Sequence, residues 1–271
     1  MSWLFRVFRR AALRFSAEGA TFMAPAIAFN ALFAAIPLLL VAASVAAFVY
    51  GTTAGLQRAY DAVALYAPQL HDLVANNLDA IVRYKGISGA IGLIALAWSG
   101  KNLFQALTYA LNRSVGVQQF RFFIWDIIIA LVLVPIAGVV LIVATALPVV
   151  ITLIVQFAGL ESLRWVPQIA SYAGSSLLVF ILCALLYAYL PNRRTTWPPV
   201  LVGALVTAVG YTLLQIAFAA YTTYAAYAFR VYGALSALFV LLLWLNYTGI
   251  VFLFGAFVSA AYEREAEAEA S

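Results

Sequence analysis

The chain has 271 residues, of which 66% are hydrophobic and 9% charged, with a formal net charge of +5. So much apolar side chain cannot be buried by a water-soluble domain of this length, and the basic residues are spread between apolar runs instead of gathered on one face, which argues against nucleic acid as a partner. The single cysteine, Cys183, lies inside an apolar run, leaving no disulfide framework and no cysteine metal cluster within one chain.

In residues 1–18, Arg6, Arg9, Arg10 and Arg14 alternate with Trp3, Phe5, Val7, Phe8, Leu13 and Phe15, a pattern that predicts an amphipathic helix lying in the membrane interface. The apolar run that follows exceeds the ~7–15 residues of a secretory signal core, and further apolar runs succeed it, so it is read as a retained span. That first span covers about 25–50, with Pro25 near its start and Pro37 inside it, where a kink must be absorbed by neighbouring helices.

Residues 52–85 turn polar. Leu70, Leu73, Val74, Leu78 and Ile81 fall at helical spacing opposite His71, Asp72, Asn76, Asp79 and Arg83, which predicts a short extracytoplasmic helical cap broken at Pro68. The second span, 86–110, is free of charge only as far as Gly100. Lys101 reaches the headgroups by snorkelling, and Gly86, Gly89 and Gly92 allow close helix approach.

Four more spans are expected at about 126–157, 167–190, 198–224 and 234–260, lengthened by tilt or by kinks at Pro135 and Pro148. A break at Pro148 would instead make seven crossings. With six, ten lysines and arginines fall on the side of the amino terminus and five (Arg58, Arg83, Lys85, Arg164 and Arg230) on the other, which places both termini in the cytoplasm. The fold class is therefore an all-α polytopic membrane bundle, one transmembrane domain over 1–262, followed at 263–271 by an acidic tail read as a solvated helix extension. No internal repeat is evident.

Polar groups in such a chain are the candidates for function. The turn Asn192-Arg193-Arg194 offers two adjacent guanidiniums that can grip a lipid phosphate, or that simply set topology. Lys101, Gln105 and Arg113 recur on one helix and either line a polar cavity or snorkel. Asn30, with Gln156, Gln215 and Asn246, lies deeper, where interhelical hydrogen bonding competes with a transport path. Tyr221, Tyr224, Tyr227 and Tyr232 read as an aromatic belt or an amphipath platform. His71 beside Asp72 is a weak metal site, and no P-loop, H-E-x-x-H or G-x-S-x-G string occurs, so neither enzyme activity nor a cofactor or metal is expected.

Ordered strings along most of the chain resemble the YihY/BrkB family of bacterial inner-membrane proteins, once labelled ribonuclease BN. They are Ala28-Phe29-Asn30-Ala31-Leu32-Phe33, Ala97-Trp98-Ser99, Ala110-Leu111-Asn112-Arg113, Leu190-Pro191-Asn192-Arg193-Arg194, Gly203-Ala204 and Val231-Tyr232-Gly233-Ala234-Leu235. Two departures stand out: Phe29-Asn30 in place of the family's usual aromatics, and Phe257 where an acidic residue usually follows Gly255-Ala256, which argues against proton coupling at that position. The resemblance implies a plasma-membrane protein tied to envelope properties, virulence and movement of lipids. The leading expectation is a transporter or flippase-like protein for an amphipathic, anionic molecule, with membrane lipids as partners and a homo-oligomer as one further arrangement. A scaffold for envelope assembly, motivated by Gly255 and Ser259 at small-xxx-small spacing, is the alternative, and a membrane-bound ribonuclease ranks last.

Overall fold

The computed structural model describes residues 3–50, 85–117, 166–193, 195–232 and 234–270. Among them are six α-helices and no strand: α1 (Trp3–Ala17), α2 (Ala20–Tyr50), α3 (Lys85–Val115), α4 (Val166–Tyr189), α5 (Trp197–Tyr232) and α6 (Ala234–Ala270). The described residues are thus all-helical, as expected. The cap, save Lys85, and the 126–157 segment with the Pro148 alternative lie outside the described residues, as do His71, Gln156 and Arg194.

The helices fall into two compact units. One comprises Met1–Ala24, Leu107–Tyr221 and Tyr247–Ser271, and the other Pro25–Ala106 and Thr222–Asn246. Two stretches, Trp197–Thr222 and Leu238–Glu269, with mean hydropathies of 1.9 and 2.0, are long and apolar enough to cross a membrane; Ala20–Ala35 and Ala173–Tyr189 are shorter apolar helices. Along α5, Leu201, Leu205, Val209, Leu213 and Ile216 recur every three or four residues and are 42–62% exposed, while Val200, Ala204, Thr207 and Ala208 are buried. That is inverted relative to a water-soluble helix, whose exposed face is polar, and it suits a helix whose solvent is lipid.

Within the first unit, α4, α5 and α6 meet at a point set by small residues. A Cβ on Gly203 would lie 2.6 Å from the Gly255 carbonyl oxygen and from the Ser259 Cβ, and one on Gly255 would lie 2.6 Å from the Gly203 oxygen and 2.9 Å from Tyr187 Oη. The backbones can approach this closely only because both residues lack side chains. The approach is sealed by Tyr187, 2% exposed, whose Oη donates to the Phe252 carbonyl at 2.5 Å and stands 2.8 Å from Thr207 Oγ1. Ser175 donates to Gln215 at 3.3 Å and Ser176 pairs with Thr212, so α4 and α5 share a hydrogen-bonded seam in which Gln215 serves helix packing.

Helix α1 buries Val7 and Ala11 and sets rings on α6: Trp3 edge-on to Tyr262 at 4.7 Å, and Phe15 to Phe254 at 5.8 Å and Phe257 at 5.6 Å. Phe257 itself is 1% exposed and part of this aromatic contact. Leu4 and Phe5 stay exposed.

Candidate functional site

Charged side chains of the first unit, Arg6, Arg10, Arg14, Glu18, Arg113, Arg193, Arg264 and the tail glutamates, converge where α1, the end of α3, the α4–α5 turn and the end of α6 meet. The end of α3 comes first. Gly116, at φ 81°, reverses the backbone, its N–H donating to the Arg113 carbonyl at 3.2 Å and that of Val117 to the Asn112 carbonyl at 2.8 Å. This is the usual glycine termination of a helix, and it leaves carbonyls of the last turn without helical partners. Two guanidiniums take them: Arg14 donates to Ser114 O at 3.3 Å and Arg264 to Val115 O at 3.0 Å, cations seated at the negative end of the helix dipole.

Next to these carbonyls, Arg113 is held at 3.3 Å from Glu18, which also receives Arg14 at 3.5 Å. The hydrogen bond from Arg113 Nε to the Tyr109 hydroxyl at 3.4 Å raises the guanidinium above its ordinary pKa, so Arg113 is cationic throughout any working pH range.

The α4–α5 turn is carried by Asn112. Its Oδ1, on a residue 4% exposed, accepts a 2.8 Å hydrogen bond from the Asn192 backbone N–H, while Leu190 and Pro191 are buried beneath and Thr195 Oγ1 donates to the Tyr187 carbonyl at 3.2 Å. The amide's other end is unmet: Asn112 Nδ2 is buried without a partner among the described residues, and so is Thr108 Oγ1 one helical turn earlier. Replacing Asn112 with alanine is expected to lower the thermal unfolding midpoint in detergent, with a cost of ~1–3 kcal/mol from stranding the Asn192 N–H. A midpoint equal to that of the parent would show that Asn112 does not hold the turn.

Arg193, at the tip of the turn, points into carboxylates of α6: Glu267 at 3.1 Å and Glu263 at 3.9 Å. On the other side of α6, Glu265 takes Arg10 at 3.0 Å and Arg6 at 3.5 Å, and Glu269 takes Arg6 at 2.7 Å. The tail expected as a solvated extension is indeed helical, but Glu263 and Glu265 are only 8% and 6% exposed. A carboxylate is stable there because each is matched by a guanidinium.

Of the residues singled out in the sequence, Asn192, Arg193 and Arg113 thus come to one junction, with Arg194 outside the described residues. Lys101 and Gln105 belong to the second unit, where Lys101 sits 5.4 Å over the Trp98 ring and Gln105 is exposed. Asn30 also belongs there. Its Nδ2 donates to the Ala26 carbonyl of its own helix at 2.8 Å, a local bond. Arg14, Glu18, Arg264 and the tail carboxylates were not foreseen as site residues; the readable signals were Gly116 after a run ending in Arg113, and glutamates spaced four apart.

A membrane protein of Mannheimia succiniciproducens from the UPF0761 group is 27% identical over 258 residues, covering 95% of this chain and 88% of that protein. A UPF0761 membrane protein of Vibrio cholerae is 37% identical over 106 residues, 38% of this chain, so the match spans only 32% of the Vibrio protein's own length. A Bacillus subtilis protein named as ribonuclease-like, YfkH, is 27% identical over 176 residues, 63% of this chain and 64% of its own. No solved structure matches the chain. The family model described as virulence factor BrkB matches residues 11–271, and the chain therefore belongs to the BrkB family.

Proposed function

We propose that the chain is a multi-pass protein of the bacterial plasma membrane, crossing it six times with both termini in the cytoplasm, and that it moves an amphipathic, anionic molecule such as a phospholipid between leaflets. The observation that carries this reading is the junction around Asn112. A buried amide donor without a partner costs ~1–3 kcal/mol, a cost tolerated where a ligand brings the acceptor, and here it lies under the turn that presents Arg193. Arg193 is 38% exposed at its side chain, open enough to meet a headgroup, and a guanidinium matches the paired oxygens of a phosphate. The apolar stripe on α5, a helix that starts at this turn, supplies a surface along which acyl chains can lie. The two-to-one basic bias supports an inner-leaflet position for the junction. In this reading the chain is not an enzyme and holds no cofactor.

The test uses purified protein in liposomes carrying labelled phospholipid, with leaflet exposure read by an impermeant quencher. Movement above that of empty liposomes is expected, reduced roughly threefold to tenfold in the Arg193→Ala/Arg194→Ala variant, as befits loss of charge-assisted hydrogen bonds. Movement at the parent rate in a folded variant removes the arginines from the mechanism, and no movement by verified, inserted parent protein sinks the phospholipid reading. For the scaffold alternative, Gly255 and Ser259 pack on Gly203 inside the chain, so a partner protein would have to meet other small residues or the cap.

A further inference from the structure

We propose that Arg6 and Arg193 are phosphate-headgroup contacts that the end of α6 occupies as an intramolecular competitor, and that an anionic membrane surface displaces it. The inference rests on the reading of Arg193 as a headgroup contact at the inner leaflet.

The register of the tail is the first argument. At about 100° per residue, glutamates four apart share a face, so the alternation in Glu263-Arg264-Glu265-Ala266-Glu267-Ala268-Glu269 makes two acidic faces on roughly opposite sides of one helix. Each face grips a different element. Glu263 and Glu267 hold Arg193 on the α4–α5 turn, whereas Glu265 and Glu269 hold Arg6, and Glu265 also Arg10, on α1. A helix that served only solubility would need no such division.

The second argument is chemical equivalence. A carboxylate and a phosphodiester each present two oxygens sharing one negative charge to the same guanidinium fork, so whichever is locally more abundant occupies it. The tail is also built to leave in part. Its inner carboxylates, Glu263 and Glu265, have side chains 10% and 8% exposed, whereas Glu267 and Glu269 are 60% and 57% exposed and open to competition. Arg264, donating to the Val115 carbonyl at 3.0 Å, anchors the inner end while the outer half comes away. Leu4 and Phe5, exposed on α1 beside Arg6, set that helix at the depth where headgroups lie.

The experiment is hydrogen exchange of the tail in the full-length protein, placed in nanodiscs of phosphatidylcholine alone, of phosphatidylcholine with phosphatidylglycerol, and of phosphatidylcholine with inorganic phosphate in the buffer against chloride of equal ionic strength. We expect amides of residues 266–270 to be protected in phosphatidylcholine and to exchange roughly tenfold faster with phosphatidylglycerol, the scale set by losing a few part-exposed ion pairs. Release by phosphatidylglycerol alone assigns the lipid surface as the competitor, and release by inorganic phosphate as well assigns a site open to soluble phosphate. The Glu267→Gln/Glu269→Gln variant, altered only at exposed positions, is expected to exchange fast without any anionic lipid. A tail equally protected in all three conditions overturns the proposal, as does a Gln variant that stays protected. The transport reading fails separately: a tail that responds to phosphatidylglycerol in a protein moving no labelled lipid keeps the competitor and removes the transport, while the converse removes the competitor alone.

Discussion

Replacing Gly255 with leucine is expected to destroy the packing of α4, α5 and α6, with almost no monodisperse protein surviving a mild heating step in detergent. A side chain there meets the Thr207 hydroxyl, the Gly203 carbonyl at 2.6 Å and the Tyr187 hydroxyl at 2.9 Å, measured from the first carbon alone. The Gly203 carbonyl cannot turn aside because it belongs to a helix backbone and accepts from Thr207 Oγ1 at 3.0 Å. Overpacking of this kind costs roughly 3 kcal/mol, and in a membrane, where van der Waals fit rather than water exclusion drives helix association, little offsets it. The matched control is Gly100→Ala. Its Cβ would meet nothing within 4 Å, and gaining alanine's helix propensity is expected to leave stability unchanged or raise it by up to ~1 kcal/mol. Equal survival of the leucine variant and the control would show that the two glycines do not set the crossing.

Reversing the charge at Glu265 is the second large effect. Glu265→Lys removes the acceptor shared by Arg6 and Arg10 and sets an ammonium between them at a side chain only 8% exposed. Loss of charge-assisted hydrogen bonds together with like-charge repulsion at intermediate dielectric amounts to roughly 2–4 kcal/mol, seen as a lower unfolding midpoint and a freed amino-terminal helix. Adding Arg10→Glu restores one opposite-charge pair, so the double variant should recover a good part of the midpoint. A double variant no better than the single one would place the defect in packing. The Arg6–Glu269 pair, exposed on both sides, should contribute far less and fade with added salt.

Much of the fold was legible because a bilayer leaves the backbone few choices. Long runs without charge must satisfy every peptide group internally, and the helices α2, α4, α5 and α6 occupy the intervals where such runs were found. Their ends were less legible. The second span was expected to end near 110 and α3 runs on to Val115, because a charge marks where hydrocarbon stops whereas the backbone hydrogen-bond ladder continues until a glycine such as Gly116 breaks it; the helical tail was expected, and α6 runs through it to Ala270. Asn30 shows another limit: its depth left an interhelical bond and a transport path open, and only the structure shows its Nδ2 donating to the carbonyl four residues back on its own helix.

By itself the sequence determined that the described segments are helical, that their surface suits lipid, and that the basic residues lie between the long apolar runs, since hydropathy and periodicity follow from the order of residues alone. Only the tertiary structure decided which charge meets which. Arg6 and Glu269 stand 263 residues apart and Arg113 and Glu18 stand 95 apart, yet each pair shares a hydrogen bond. Opposite charges become partners because the fold brings their helices together, and no spacing along the chain records that proximity.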